Sequence, residues 1–311
     1  SFIGNKMTKT TFLLCFITLL ASSSALPSVS KHHKVGSYLC QSHQLGCHNC
    51  SLHLPDRHGK LDDVVLGYDS IDTYKKNILH GGKVGFSDVA WKVKSYQNKG
   101  LAPHIVFTYH SRDGEQGFPG DVLVTATYTL FGHGKLAVIM TAKALNKPTP
   151  VNLAQHTYWN LGGHTSGDIL SNDIQIFGSQ ITPVDDELIP TGKIQSELPK
   201  GYDINYVLDG VPEGKELKRV AVVYDKKSGR SMDLSTNKPG VQFYTGNNIK
   251  DIKGKGGFVY QSHAALCLET QAFPDSVNHP NFPSTIISPE EPYKHVMLFK
   301  FSTKDRPNFS S

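Results

Sequence analysis

Five polar residues stand at strand ends of a β-rich chain: His80 in LHGG, His156 in NLAQHTYWNLGG, Asp203 in KGYDINYVLDG, Gln242 in PGVQFYTGN and Glu269 in LCLETQAFPDSVNHP. Each has a plain structural reading. A His beside an aromatic strand is usually hydrogen-bonded into the fold, and an Asp after Gly-Tyr commonly serves a turn. Glu269 fits that reading least well. AALCLET would bury it in a sheet, where an unpaired carboxylate is costly, and a buried Glu therefore has a partner or a task. Imidazole titrates near neutrality, so a His beside such a Glu offers acid–base chemistry.

Several other chemistries lack their motifs. The sequence has no G-x-x-x-x-G-K-[ST], no G-x-G-x-x-G in a βαβ setting, no G-x-S-x-G and no H-E-x-x-H. GKGGF at 254–258 is glycine-rich but reads as a hairpin. A net charge of +5, with Lys and Arg scattered among Asp and Glu, describes a mixed-charge surface and no nucleic-acid footprint. Cys40, Cys47 and Cys50 crowd into CQSHQLGCHNC with His43 and His48. A disulfide, a zinc site and free thiols all remain open there. Zinc is the least favoured, because structural sites usually come as two spaced pairs. Cys267, in an apolar run, reads as a small buried hydrophobe.

The elements that must position these residues are strands. HIVFTYHS, DVLVTATYTLF, KLAVIMTAKAL, RVAVVYD, GVQFYTGN, GGFVYQSHAALCLET and YKHVMLFKFS are rich in β-branched and aromatic residues and are separated by Gly, Asp, Asn and Pro. No helix longer than two turns is expected. The chain has 311 residues, 38% of them hydrophobic, and is expected to form one large antiparallel β-sandwich over 51–305. Ahead of it, Met7, Lys9, the apolar run 11–21 and small residues near Ala25 read as a secretory signal peptide over 7–25. The run is too short to span a bilayer. A secreted chain starting near Leu26 is expected, loosely ordered over 26–50 and with no membrane segment.

Taken together, LHGG, PVNLAQHTYWNL, GYDINYVL, PGVQFYTGN and LETQAFPDSVNHP resemble the aldose 1-epimerases, also called galactose mutarotases, and the wording is similar to the plant members. The resemblance covers nearly the whole chain after the leader. It implies a large β-sandwich of the galactose mutarotase type, no cofactor, no metal, and a free hexose as substrate; a monomer is expected. It also implies roles. His156 protonates the ring oxygen while Glu269 removes the C1 hydroxyl proton, the two facing the anomeric centre from opposite sides. His80, Asp203 and Gln242 hold the sugar, and His80 also polarises the ring oxygen. Tyr158 and Trp159 read first as packing aromatics; Asn152, Gln155 and Asn160 read as local hydrogen-bonding residues.

The chain departs from the family pattern at two junctions. It passes directly from GYDSIDTYKKN to ILHGG, near 77–78, where the family carries two further strands and a sugar-contacting Asn-Arg pair. A shorter gap falls near 195–198. A non-catalytic carbohydrate-binding protein on the same fold is therefore the alternative to an enzyme.

Overall fold

The computed structural model describes residues 15–16, 31–35, 38–42, 49–67, 81–82, 84–186, 189–193, 202–210 and 216–303, with the stretches up to residue 50 described by backbone alone. His80, the two junctions near 77–78 and 195–198, and the thiols of Cys40, Cys47 and Cys50 lie outside the described residues or side chains.

Alternating sequence becomes alternating burial. Along Val122–Phe131 the side chains of Val122, Val124, Ala126, Tyr128 and Leu130 are buried, and the intervening positions face outward. Tyr293–Ser302 does the same with Tyr293, His295, Met297, Phe299 and Phe301. A period of two leaves one apolar face per strand. Such strands assemble into an eight-stranded antiparallel sheet in the order Asp173–Ile176, Lys218–Tyr224, Ser231–Thr236, Tyr293–Ser302, Lys135–Ala144, Val122–Phe131, His104–Ser111, Lys92–Gln97. The expected strands form, except that GGFVYQSHAALCLET is divided into Val259–Tyr260 and Cys267–Gln271, and the helices among the described residues are three single 3-10 turns. GKGGF lies between the paired strands Ile252–Lys253 and Val259–Tyr260, a hairpin as its glycines suggest.

A second antiparallel sheet has four strands: Gln180–Thr182, Asp203–Val207, Gly240–Tyr244 and Cys267–Gln271. Its apolar face, with Ile204, Val241, Phe243 and Leu268, joins one hydrophobic cluster with Trp159, Met297 and Phe299 of the larger structure. Two sheets sharing a core make the expected sandwich. Near the N-terminus, the backbone of Lys31–Val35 and Tyr38–Ser42 pairs on to Asn49–Pro55 and Leu61–Asp63 in a further four-stranded sheet. Among the described residues no helix is long and apolar enough to cross a membrane.

Candidate active site

The other face of the four-stranded sheet carries the polar candidates. Residues directly opposite in an antiparallel pair share a face. Asn205 is opposite Gln242, which is opposite Glu269; Asp203 is opposite Tyr244, which is opposite Cys267. One surface therefore presents Asp203, Asn205, Gln242, Tyr244, Cys267, Glu269 and Gln271, while Ile204, Val241, Phe243 and Leu268 point into the core. Gln242 donates from Nε2 to Asp203 Oδ1 at 2.9 Å. Behind them Gln271 donates to Asn205 Oδ1 at 3.2 Å, and Asn205 donates to Thr182 Oγ1 at 3.2 Å. A Cβ on Gly240 would stand 2.6 Å from Asn205 Oδ1, so a side chain there would displace the Asn205 amide from this row.

His156 reaches this face from outside the sheet. The segment holding it runs antiparallel to Cys267–Gln271 and is fixed at both ends. At one end Trp159 and Leu266 exchange both backbone hydrogen bonds, at 2.8 and 2.9 Å. At the other, Asn152 donates from Nδ2 to the Ala272 carbonyl at 3.1 Å and accepts from the Ala272 N–H at 3.0 Å. Three residues back from Trp159 is His156, and three residues on from Leu266 is Glu269, so the register aligns them. His156 Nε2 lies 3.1 Å from Glu269 Oε1. Tyr158 stacks on the imidazole with ring centroids 4.8 Å apart and packs edge-on against Tyr244.

The two groups expected to face the anomeric centre stand in contact with each other. Contact suits the chemistry, since O1 and the ring oxygen are bonded to the same carbon and neighbouring groups can serve both.

Burial sets the electrostatics. Glu269 is 2% exposed, and desolvation, with the nearby Asp203 charge, pushes its carboxyl well above the usual carboxylate range. Asp203 is itself raised by desolvation, against the lowering effect of the Gln242 hydrogen bond. A raised Glu is a stronger base, which is what abstraction from a hydroxyl requires.

Behind Glu269, on the core side, His295 joins the two sheets. Its Nδ1 donates to the Leu153 carbonyl at 3.0 Å, so Nε2 accepts from the Thr270 hydroxyl at 2.8 Å. Tyr293 OH bonds both the N–H and the carbonyl of Leu153 at 3.2 Å. Desolvation, then the Lys238 charge, lower the His295 pKa to about 3. A His whose folded pKa lies below its unfolded value of 6.5 stabilises the fold fully above pH 6.5. That stability is lost as pH falls from about 6.5 toward about 3, by roughly 1.4 kcal/mol per pH unit. Denaturant titrations of wild type and His295→Gln across this range should converge as pH falls; parallel curves would refute the linkage.

Of the sequence candidates, the structure brings together His156, Glu269, Asp203 and Gln242. Asn205 and Gln271 were not anticipated. The signal for both was available: polar residues two apart in DINYV and CLETQ lie on one face of a strand. Arg230, wholly buried in a chain of turn-forming residues, was also missed. Gln155 makes the local contact expected of it, with Thr157, and Asn160 bonds the nearby Gly167 carbonyl. Asn152 and Asn160 also bond residues distant in sequence, Ala272 and Ala264, so both fasten the segment to its neighbours rather than serving only a local turn. Trp159 is core, and Cys267 is a buried free thiol.

Comparison with solved structures first defines the fold. A GalM/aldose epimerase homologue from C. elegans superposes with a TM-score of 0.78 over 88% of this chain and 99% of its own, at 22% identity. A galactose 1-epimerase from Lactobacillus acidophilus gives 0.70 over 89% and 99%, at 17% identity. Sequence comparison then gives the family. The model for aldose 1-epimerase matches residues 75–300. Galactose mutarotase of Rattus norvegicus is 37% identical over 314 residues, covering 83% of this chain and 89% of the relative. The human galactose mutarotase is 36% identical over the same shares, and an aldose 1-epimerase of Escherichia coli is 29% identical over 72% and 70%. The chain belongs to the aldose 1-epimerase family. An aligned span of 314 positions drawn from 83% of a 311-residue chain means that the rat relative carries segments this chain lacks.

Proposed function

We propose that the protein is an aldose 1-epimerase that interconverts the α and β anomers of free hexoses, glucose or galactose. The observation that carries this reading is the buried Glu269 carboxyl held 3.1 Å from His156 Nε2 on a polar sheet face. Glu269 takes the O1 proton, C1=O forms, the C1–O5 bond breaks, and a proton on His156 Nε2 passes to O5. The open aldehyde rotates about C1–C2. Ring closure on its other face returns one proton from O5 to His156 and one from Glu269 to the carbonyl oxygen, which restores both groups. No electron donor or metal is required for this balance. Asp203 and Gln242, fixed to each other, are placed to accept from and donate to sugar hydroxyls beside the pair; His80 is proposed to join them. A signal-directed, extracellular location remains part of the proposal on the leader sequence alone.

Polarimetry of freshly dissolved α-D-galactose and α-D-glucose tests the reading. Decay to the equilibrium rotation should be faster than in buffer in proportion to enzyme concentration. A rate equal to buffer for both sugars, with sugar binding retained, would leave the non-catalytic carbohydrate-binding alternative in possession. For Asp203→Asn, KM should rise about 10- to 100-fold through loss of a charged hydrogen-bond acceptor, with a much smaller change in kcat. An unchanged KM would remove Asp203 from the sugar site.

A further inference from the structure

Cys267 takes no part in the reaction above, yet it shares the catalytic face, two residues before Glu269 on the same strand. It is wholly buried and its thiol is free. Its sulfur, a ring nitrogen of His156 and a carboxylate oxygen of Glu269 all lie within 4.8 Å of one another. We propose that these three groups form a binding site for a borderline-soft divalent cation of the Zn²⁺ type, and that its occupation blocks sugar turnover.

The geometry needs little change. Zinc bonds of about 2.0–2.3 Å place tetrahedral ligands roughly 3.5 Å apart. The His156–Glu269 edge is already at 3.1 Å, and the widest edge of the triangle must close by about 1 Å. A thiolate and a carboxylate neutralise the divalent charge, and neutral imidazole completes a set that favours Zn²⁺ or Cd²⁺ over Mg²⁺ or Ca²⁺. Three protein ligands leave a fourth position for water. On binding, the Cys267 thiol loses its proton to solvent as the S–metal bond forms; no redox change occurs. Without a cation, burial keeps the thiol pKa far above its ordinary value, so Cys267 stays neutral and outside the proton transfers. The cation occupies the Nε2 lone pair and the carboxylate that the sugar needs, so cation and sugar exclude each other. This inhibitory consequence rests on the acid–base reading; the binding site does not.

Two measurements on the full chain separate those parts. Co²⁺ should give a near-ultraviolet thiolate-to-metal charge-transfer band that Cys267→Ala removes. Cobalt held by the N-terminal cysteines would survive that substitution, so a band unchanged in the variant overturns the site. In polarimetry, Zn²⁺ should slow mutarotation, with relief by added sugar or EDTA, and Mg²⁺ should not. Measured against its own metal-free rate, Cys267→Ala should need at least about tenfold more Zn²⁺ for half-inhibition, since even loss of an outer-shell partner costs roughly 10–100-fold in metal affinity. Equal Zn²⁺ sensitivity in both proteins overturns the proposal. A band lost in Cys267→Ala from a protein that turns over no sugar would uphold the metal site and defeat the catalytic reading instead.

Discussion

Glu269→Gln is expected to slow mutarotation by about 10²–10⁴-fold, the usual worth of one positioned acid–base group. The substitution keeps the shape of the side chain and can still bond His156, but an amide cannot take the O1 proton. It also removes an ionisable group from a site that is 2% exposed, so the fold and the affinity for sugar should persist. The pH profile supplies the matching control. A base is inactive when protonated, so activity falls as pH drops through its pKa. Desolvation and the Asp203 charge raise that pKa, which places the acid limb of kcat/KM above the ordinary carboxylate range. Residual activity within tenfold of wild type, or an acid limb at ordinary carboxylate pH, would show that Glu269 is not the base.

The largest expected loss of stability comes from Arg230→Ala. The guanidinium is 0% exposed and donates to three carbonyls, those of Leu54 at 3.2 Å, Leu161 at 2.9 Å and Lys60 at 3.0 Å, and to Asp62 Oδ2 at 3.2 Å. It thereby ties the Asn49–Pro55 and Leu61–Asp63 strands to the turn that follows the His156 segment. Ser228 supports the same turn, its hydroxyl donating to the Leu161 carbonyl at 3.0 Å. Removing the side chain leaves a cavity and orphans buried acceptors, which together cost about 3–5 kcal/mol. Urea unfolding should report that shift. Well below the unfolding midpoint, kcat should change little, because no Arg230 contact touches the sugar face. A shift under about 1 kcal/mol would mean that water replaces the guanidinium at those carbonyls.

Much of this was written in the sequence. Val122–Phe131 and Tyr293–Ser302 alternate because one face of each must be buried, and that alternation is visible without coordinates. Glu269 was visible for the opposite reason: a carboxylate in an apolar strand contradicts its surroundings. What a sequence does not carry is register between an irregular segment and a strand. The His156 stretch has no periodicity of its own, so its contact with Glu269 emerged only from the bonds at Trp159 and Asn152. Arg230 was hidden differently. KKSGRS has the composition of an exposed turn, and nothing local announces that its Arg points inward to four acceptors. His80 and the junction near 77–78 lie outside the described residues, so of the expected sugar-holding residues only Asp203 and Gln242 are placed by the structure.

The two fastenings of the His156 segment have a consequence for how this site can vary. The distance between His156 and Glu269 is stored as a count: three residues from Trp159 to His156, matched by three from Leu266 to Glu269. Side-chain changes in between leave that count intact. A single residue inserted or deleted between His156 and Trp159 would not, since it would move the imidazole out of register with Glu269 while every candidate site residue remained in the sequence. In this chain the contact between His156 and Glu269 therefore depends on the spacing within 156–159 and 266–269.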